Sequence, residues 1–524
     1  MSEKAIVTLA RQRLGFERLR PGQLRAVAAA ADGRDVLAVL PTGGGKSAIY
    51  ELAGLLRAGP TVVVSPLIAL QDDQLAHLRA AGLSAIVLNS QQSARARAAA
   101  LDASSGSDSF VFLSPEQLAN AETRDALRRS QPGLFVVDEA HLISQWGHDF
   151  RTDYMRLGAQ ADALGSPVRI ALTATAALPV RDEICRRLGL RDPEIVIGNF
   201  DRPHIELSAH RVGSVGEKRR AIELAAAEFQ GSGIVYAATH AETEDARDTL
   251  AAAGEEVALY HAGLSARARH EAMTAFLDGS ARIVAATVAF GMGIDKGDVR
   301  WVLHAEPPPS LDAYYQELGR AGRDEEEAQA RLLYRPEDFA TARHLTARGV
   351  PVDVVARVAT ALANGELVEV KSRRSTAALV RLVDLGAAAW DADGNVSWTG
   401  ALSVRATLAA SRVETDREDE VERSRLVMVR RYAEHTGCRR SFLLSYFGQV
   451  YPGRCGRCDN DHAAMSEEAG TEPFPVGGRV ASDRWGEGTV QRYDGDQMTV
   501  LFDEHGYRDL LVPLVVSRRL LRRV

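Results

Sequence analysis

Cysteine is scarce in this sequence of 524 residues: only four are present, and three of them lie within residues 438–458. So few cysteines argue against a disulfide framework and favour a reducing compartment with one local metal site. Long apolar runs are also missing, since no stretch of about 18 apolar residues could cross a membrane. The N-terminal residues carry early charges and lack the apolar segment of a signal peptide. We therefore expect a cytoplasmic protein without membrane contact.

An excess of positive charge is absent as well. The formal net charge is −7, with 63 lysine and arginine residues against 70 aspartate and glutamate residues. Proteins that bind nucleic acid usually have a basic footprint, so any such surface in this chain must be local. The length exceeds what a single hydrophobic core supports and predicts roughly three to five domains.

Apolar runs alternate with helical stretches through the first two thirds of the sequence. Runs such as LFVVDE (134–139) and GIVYAA (233–238) are typical of parallel strands buried beneath helices. The pattern predicts an α/β fold with one domain at residues 1–205 and a second at residues 206–345. A cleft between two such domains is the natural place for a ligand.

The pattern changes after about residue 345. Residues 346–405 read as helices that end in a hairpin with a turn at 393–395, which indicates a winged-helix-like segment. Charged helices follow, then an acidic linker, then short β-runs between glycine and aspartate turns that predict a small barrel. We place these three parts at residues 406–465, 466–474 and 475–524.

A glycine-rich segment, LPTGGGKS (40–47), predicts a phosphate-binding loop because it follows an apolar strand and precedes a helix. Glycines let backbone N–H groups surround phosphate oxygens. Lys46 would reach the β- and γ-phosphates of ATP, and the Ser47 hydroxyl would bind magnesium. The alternative is a glycine-rich turn before a helix. The residues assigned to ATP in this loop are Thr42, Gly43, Gly44, Gly45, Lys46 and Ser47.

Two further motifs complete a predicted hydrolysis site. Asp138 and Glu139 begin the DEAH motif at the end of an apolar strand; Asp138 would hold magnesium and Glu139 would orient and deprotonate the attacking water. The motif QELGRAGR begins at Gln316 in the second α/β domain, and its Arg320 and Arg323 would reach the γ-phosphate. Taken alone, this last motif would be a surface arginine pair.

These motifs, together with LTATA (172–176), resemble those of superfamily-two helicases, and HLISQWGHDFR (141–151) narrows the resemblance to the RecQ family. The resemblance implies two tandem RecA-like domains and a bacterial, ATP-dependent DNA helicase. Such an enzyme moves 3′→5′ on single-stranded DNA and unwinds duplex DNA in repair or recombination. It also implies that FERLRPGQ (16–23) reads adenine, and that GMGIDKGDVR (291–300) contributes to the ATP site.

The resemblance assigns roles to individual residues of these two segments. Gln23 would hydrogen-bond the adenine edge, while Phe16 and Arg20 would flank the ring. Asp295 would belong to the ATP site.

An aromatic loop follows the DEAH motif and is the predicted DNA sensor. Trp146 and Phe150 offer stacking faces, each worth about 1–3 kcal/mol per base, and His148 and Arg151 can reach phosphate or the ATP side. Contact with a base would then move Glu139. By resemblance, a single-strand track is formed by residues that follow strands, and by sequence alone each is first a helix-capping turn. These residues are Ser65, Thr239, His261 and Thr287.

Three cysteines repeat the zinc spacing of the RecQ family: Cys438, Cys455 and Cys458. Asp461 stands where that family has a fourth cysteine, and His462 is next to it. Zinc accepts cysteine, histidine and carboxylate ligands, so we predict a zinc site with Asp461 or His462 as the fourth ligand. The alternative is a helical hairpin that packs without metal.

The remaining segments depart from the RecQ pattern, which usually has a winged-helix domain after the zinc module. Residues 474–513 resemble the Tudor-like barrel of UvrD/PcrA-type helicases, which implies RNA polymerase or another protein as a partner. Trp390 and Trp398 flank the hairpin turn. We expect them either to pair across it as a wedge that opens duplex DNA or to pack on the core of their segment.

Three alternatives to a helicase stay open. One is an ATP-dependent translocase that remodels nucleic acid without strong unwinding. Another is an RNA helicase, against which the aromatic loop argues. The last is a non-catalytic DNA-binding scaffold, against which the intact motifs argue.

Overall fold

The structure is a computed structural model of the chain. It describes residues 2–41, 44–66, 68–88, 108–144, 152–290, 296–346, 350–366, 368, 372–390, 395–462 and 473–524. The chain divides into two compact units, and each unit is built from two separate segments. Unit 1 comprises residues 1–199 and 348–416, and unit 2 comprises residues 200–347 and 417–524. Within the described ranges, no helix is both long and apolar enough to span a bilayer.

A seven-stranded parallel sheet forms the centre of unit 1, in the order β3-β4-β2-β5-β6-β1-β7. Its central strands are buried along their whole length, as expected for strands that helices cover on both faces. The strands are Val36–Val39 (β1), Thr61–Val64 (β2), Ser84–Leu88 (β3), Ser109–Leu113 (β4), Leu134–Val137 (β5), Val168–Thr173 (β6) and Glu194–Ile197 (β7).

Helices precede, connect and follow these strands. The α-helices are Glu3–Leu14 (α1), Pro21–Ala31 (α2), Lys46–Leu56 (α3), Ile68–Ala80 (α4), Pro115–Leu118 (α5), Ala121–Arg129 (α6), Leu157–Ala163 (α7) and Leu178–Leu188 (α8). Two 3₁₀ helices, Ala140–Ser144 and Thr152–Arg156, lie between β5 and α7.

A six-stranded parallel sheet forms the centre of unit 2, in the order β10-β11-β9-β12-β13-β8. The expected pair of parallel-sheet, RecA-like folds is therefore confirmed. The strands are Ile205–Arg211 (β8), Ser232–Tyr236 (β9), Val257–Tyr260 (β10), Ile283–Ala286 (β11), Val299–His304 (β12) and Ala328–Tyr334 (β13). The helices are Val215–Glu228 (α9), His240–Ala252 (α10), Ala266–Asp278 (α11), Leu311–Leu318 (α12) and Asp338–Thr346 (α13).

The second segment of unit 1 contains the predicted winged-helix-like elements. They are Val352–Ala363 (α14), Arg373–Asp384 (α15), Ala388–Trp390 (β14), Val396–Trp398 (β15) and the beginning of Val404–Glu434 (α16). In the hairpin, Trp390 lies opposite Val396, and Ala388 lies opposite Trp398. The two tryptophans are therefore diagonal neighbours across the hairpin and do not lie directly opposite each other. Both rings pack against the apolar cluster of their own segment, as the second interpretation predicts.

The second segment of unit 2 contains the helices Arg439–Tyr446 (α17) and Asp459–His462 (α18) and a five-stranded antiparallel sheet. Its order is β19-β18-β17-β16-β20, so each described edge strand pairs with one neighbour, and closure into a barrel stays a prediction. The strands are Arg479–Ser482 (β16), Gly486–Asp494 (β17), Gln497–Phe502 (β18), Gly506–Leu511 (β19) and Arg522–Arg523 (β20), and Val512–Arg518 (α19) is helical.

Candidate functional site

The predicted hydrolysis residues of unit 1 lie together at the carboxyl ends of the strands of the first sheet. Strands β5, β6 and β1 are neighbours and run parallel, so their carboxyl ends lie side by side. The glycine-rich loop follows β1, the DEAH motif follows β5, and the LTATA motif includes the end of β6. Crevices at the carboxyl ends of parallel strands are the usual ligand sites of such sheets.

Gln23 joins the predicted adenine motif to the phosphate-binding loop. Its side chain is 6% exposed, and its Nε2 donates to the carbonyls of Gly45 at 2.9 Å and Gly44 at 3.2 Å. The backbone N–H of Arg20 donates to Gln23 Oε1 at 2.7 Å. Gly45 has φ = +69°, and a Cβ there would lie 2.3 Å from Gln23 Nε2, so this position requires glycine. Thr42 lies outside the described residues, as does Gly43.

Helix α3 begins directly after this glycine and carries the two polar residues of the loop. Lys46 Nζ donates to the carbonyl of Leu40 at 3.3 Å. Gln74 Nε2 donates to the Ser47 hydroxyl at 3.5 Å. The N-terminal turn of α3 therefore presents an ammonium group and a hydroxyl at the end of the loop, where the helix dipole also favours an anion.

The acidic pair combines a buried carboxyl group, that of Asp138, with a strained backbone at Glu139. Asp138 is 6% exposed, and burial, followed by the charge of Glu139, raises the pKa of its carboxyl to about 6, whereas Lys46 opposes the shift. Asp138 Oδ1 accepts a hydrogen bond from the backbone N–H of Glu139 at 3.0 Å. Glu139 has φ = +49°, a conformation that costs energy outside glycine and that clusters at functional sites.

A histidine links the DEAH motif to the neighbouring strand. His141 Nδ1 lies 3.3 Å from Glu139 Oε2 and 3.0 Å from Thr173 Oγ1. Thr173 donates its own hydroxyl hydrogen to the carbonyl of Thr175 at 2.9 Å, so its oxygen is left to accept from His141. The sequence motif at 172–176 served only as a family marker. Its contact with Glu139 through His141 depends on strand order, which the motif does not encode.

Tyr154 is a site residue that the sequence reasoning missed. Its ring is fully buried, and its hydroxyl donates to the backbone carbonyl of Asp138 at 3.4 Å. It belongs to the 3₁₀ helix Thr152–Arg156, which follows the predicted aromatic loop. The four DNA-sensing residues of that loop lie outside the described residues: Trp146, His148, Phe150 and Arg151.

The other adenine residues differ in environment. Phe16 is half-buried, and its ring centroid lies 5.8 Å from that of His77 on α4. Arg20 is exposed. Their placement on either side of an adenine ring stays a prediction.

The arginine motif lies in unit 2, after helix α12. Gln316 is half-buried on that helix, and Arg320 is 8% exposed. Burial raises the pKa of Tyr236 to about 12, and this shift is opposed by a hydrogen bond with Arg320 and by the charge of Arg323. Both guanidinium groups therefore lie near the end of β9. Their reach to a γ-phosphate stays a prediction, and Asp295 lies outside the described residues.

The residues of the predicted DNA track are largely packed. Thr239 caps α10: its Oγ1 accepts from the backbone N–H of Glu242 at 3.2 Å, as the simpler interpretation predicts. His261 is 4% exposed and stacks on His240, with ring centroids 4.3 Å apart. Ser65 and Thr287 are also buried. Contact with DNA stays a prediction for all four.

The predicted metal ligands form a compact group. The Sγ atoms of Cys438, Cys455 and Cys458 and a carboxylate oxygen of Asp461 all lie within 4.8 Å of one another. Asp461 Oδ2 also accepts from the backbone N–H groups of Cys455 at 2.7 Å and Gly456 at 3.0 Å. His462 is not part of this group, so the geometry favours Asp461. Three sulfurs and one oxygen suit tetrahedral zinc.

Three protein families match successive parts of the chain. The DEAD/DEAH box helicase family matches residues 20–184, and the helicase conserved C-terminal domain matches residues 217–325. The RecQ zinc-binding family matches residues 403–462, which include the three cysteines and Asp461.

Curated helicases are similar to this chain over much of its length. The chain is 32% identical over 443 residues to the probable ATP-dependent DNA helicase RecS of Bacillus subtilis, a match that covers 84% of this chain and 88% of the relative. It is 38% identical over 331 residues to the ATP-dependent DNA helicase RecQ of Pasteurella multocida, which covers 62% of this chain and 51% of the relative. The chain thus spans about half the length of this relative and of Haemophilus influenzae RecQ, where the match covers 52%.

Solved structures share the fold at low sequence identity. The DUF1998 helicase MrfA bound to DNA is 17% identical with a TM-score of 0.52, and the match covers 77% of this chain and 63% of that one. The Mycobacterium smegmatis helicase Lhr bound to ssDNA and AMP-PNP is 22% identical with a TM-score of 0.51, covering 79% and 61%.

Proposed function

The chain belongs to the RecQ family of helicases, and we propose that it is an ATP-dependent DNA helicase that moves 3′→5′ along single-stranded DNA and unwinds duplex DNA. The observation that carries this proposal is the convergence of Lys46, Asp138 and Glu139 at one edge of the first sheet. The contact from Glu139 through His141 to Thr173 supports it further, because it ties the acidic pair to a second strand.

The residues of this edge divide the work of hydrolysis. Lys46 binds the β- and γ-phosphates, and Ser47 and Asp138 would hold magnesium, which neutralises phosphate charge when it is bound. Burial makes an unpaired Asp138 carboxylate costly, which suits a group that faces a cation. Glu139 accepts the proton of the attacking water. Arg320 and Arg323 stabilise the charge that develops on the transferred phosphoryl group, an effect of about 10³–10⁵ in rate.

The remaining assignments are also proposals. Cys438, Cys455, Cys458 and Asp461 would hold a zinc ion that stabilises the metal-binding module, residues 406–465, and the compact donor group supports this. Single-stranded DNA stacks on the aromatic loop, and the C-terminal antiparallel sheet contacts a protein such as RNA polymerase. The enzyme works in the bacterial cytoplasm in repair or recombination.

A second candidate function is translocation on nucleic acid without strong unwinding. One observation favours it: both tryptophans of the hairpin pack against their own apolar cluster, so this hairpin does not offer a free aromatic wedge. Strand separation would then need another element.

The hydrolysis site is tested with two substitutions. Lys46→Ala should abolish DNA-stimulated ATP hydrolysis, because it removes the cation that binds the phosphates. Glu139→Gln should lower turnover by about 10²–10⁴-fold while ATP still binds, since the amide keeps the shape but accepts no proton. Phosphate release with single-stranded DNA and binding of a fluorescent ATP analogue measure the two effects. Glu122→Gln, at an exposed position on α6, is the matched control. Wild-type turnover in either site variant would falsify the assignment.

Direction and unwinding are tested on tailed duplexes. A duplex with a 3′ single-stranded tail should be separated in the presence of ATP, whereas the same duplex with a 5′ tail should stay intact. The reason is that a 3′→5′ motor that loads on the 5′ tail moves away from the duplex. Lys46→Ala provides the baseline. Hydrolysis stimulated by DNA without separation of either duplex would support the remodelling function instead.

A further inference from the structure

Contacts between described residues attach the winged-helix-like segment to the first parallel-sheet domain. The guanidinium carbon of Arg156 lies 4.2 Å from the centroid of the Trp390 ring, within the range of a cation–π contact. Arg187 on α8 donates two hydrogen bonds to the Asp384 carboxylate, at 3.0 and 2.9 Å. The Arg187 side chain is 7% exposed. Helix α15 itself packs against the 3₁₀ helix that contains Arg156.

Helix α15 is occupied on its other side as well. Ala378, Leu379 and Leu382 belong to the apolar cluster of the segment. Arg381 is 1% exposed and donates to the carbonyl of Ser411 at 3.1 Å and to the Thr415 hydroxyl at 3.0 Å. In a helix-turn-helix module that reads DNA, the second helix lies in the major groove. Here that helix is used for packing inside unit 1.

The 3₁₀ helix that holds the segment also contacts the hydrolysis site. Arg156 and Tyr154 belong to the same 3₁₀ helix, Thr152–Arg156. Tyr154 is fully buried, and its hydroxyl donates to the carbonyl of Asp138 at 3.4 Å. The next residue, Glu139, has φ = +49°. A non-glycine residue keeps such a conformation only where its surroundings hold it there.

We propose that the winged-helix-like segment braces the ATP-hydrolysis site. Trp390 and Asp384 are positioning residues. Trp390 holds the 3₁₀ helix through Arg156, and Tyr154 of that helix keeps Asp138 and Glu139 in the geometry that hydrolysis needs. Asp384 fixes the segment to α8 through Arg187. This inference rests on the proposed function, because it assigns these residues to the turnover of ATP. It also gives the segment a role other than strand separation.

If the segment braces the site, loss of a bracing residue should lower kcat and leave KM for ATP nearly unchanged. Trp390→Ala should lower the DNA-stimulated kcat by between about tenfold and a hundredfold, while KM for ATP stays within about twofold, because a small misplacement of catalytic groups is costly. Arg156→Ala should have the same effect, and the double variant should lose no more than either single variant. Trp390→Phe should restore most of the activity, since it keeps an aromatic face for the guanidinium.

Trp398→Ala is the matched control, because Trp398 packs against the same apolar cluster and lies in the same hairpin. It should leave kcat near the wild-type value. Equal losses of kcat in both tryptophan variants would overturn the brace, since they would reflect general loosening of the segment. An unchanged kcat in Trp390→Ala would overturn it too.

Hydrogen exchange tests the brace without using ATP hydrolysis. In Trp390→Ala, backbone amides of residues 138–144 and 152–156 should exchange faster than in the wild type, and in Trp398→Ala they should not. Unchanged exchange in Trp390→Ala would overturn the brace. If the wild-type protein failed to hydrolyse ATP, the proposed function would fail, and the exchange result would still decide whether the segment holds these residues.

Discussion

Gln23 connects the predicted adenine motif to two glycines that lie 21 and 22 residues further along the sequence, Gly44 and Gly45. Its amide nitrogen donates to two carbonyls of the phosphate-binding loop, and its amide oxygen accepts from the backbone of Arg20. A residue expected to read adenine therefore also holds the loop that would bind phosphate. If Gln23 reads adenine as predicted, one connected structure would recognise both the base and the phosphates, because a shift of Gln23 must shift Gly45 as well.

Gln23→Ala should weaken the binding of inorganic triphosphate as well as that of ATP. Each lost hydrogen bond is worth about 0.5–1.5 kcal/mol, so loss of the pair should cost roughly tenfold or more in affinity for triphosphate. Isothermal titration with both ligands measures the effect. Phe16→Ala is the control, because a residue that contacts only the base should weaken ATP binding and leave triphosphate binding unchanged. Unaltered triphosphate binding in Gln23→Ala would show that Gln23 contributes to recognition of adenine and not to binding of the phosphates.

At the scale of elements, buried parallel strands were the part that the sequence predicted best. Strands β1 and β5 are apolar along their whole length and β2 is apolar after Thr61, which distinguishes these strands from helices and loops. Strand β7 is harder to predict, because it begins with Glu194 and lies at an edge of the sheet, with Ile195 44% and Ile197 42% exposed. Strand β8 alternates buried and half-buried positions over its first four residues, and β19 ends at Leu511, directly before helix α19 begins at Val512.

The motif residues of the candidate site were predictable because each motif has a chemical signature. Contacts between motifs were not. His141 meets Thr173 because β5 and β6 are neighbours, and strand order does not follow from the apolar pattern. Tyr154 could not be predicted as a site residue either, because a buried tyrosine in a short 3₁₀ helix belongs to no recognisable motif. The sequence does not distinguish Asp461 from His462 as the predicted fourth metal ligand. The structure does, because the Asp461 carboxylate lies within the donor group and His462 does not.

At the scale of the whole molecule, each compact unit joins segments that are distant in sequence. In unit 2, the metal-binding module covers the edge of the parallel sheet: the Leu207 N–H donates to the Arg457 carbonyl at 3.2 Å, and Cys458 forms an isolated bridge with Leu207. The C-terminal sheet packs on the same module, where Tyr507 stacks on Tyr446 with ring centroids 5.4 Å apart. The module therefore links both sheets of this unit.

Arginines strengthen this junction from inside the module. Arg439 is 3% exposed and donates to the Tyr432 carbonyl at 2.6 Å, and Arg440 donates to the Ile205 carbonyl at 2.6 Å. The guanidinium carbon of Arg492 lies 3.8 Å from the centroid of the Phe442 ring. These contacts join the module to the segments on both sides of it. Loss of local order in the module should therefore loosen the packing of unit 2 as a whole.

Asp461→Ala should therefore lower zinc content and loosen unit 2, whereas His462→Ala should do neither. The carboxylate of Asp461 lies within the donor group, and His462 does not; structural zinc contributes free energies of about 10–16 kcal/mol in small metal-binding domains. Elemental analysis should give one zinc per wild-type chain, and limited proteolysis should cut residues 475–524 faster in Asp461→Ala. A chain that keeps its zinc in Asp461→Ala and loses it in His462→Ala would show that the histidine is the fourth ligand. Absence of zinc from the wild-type protein, purified without chelator, would contradict the metal site and would show that the three cysteines only pack in the helical hairpin.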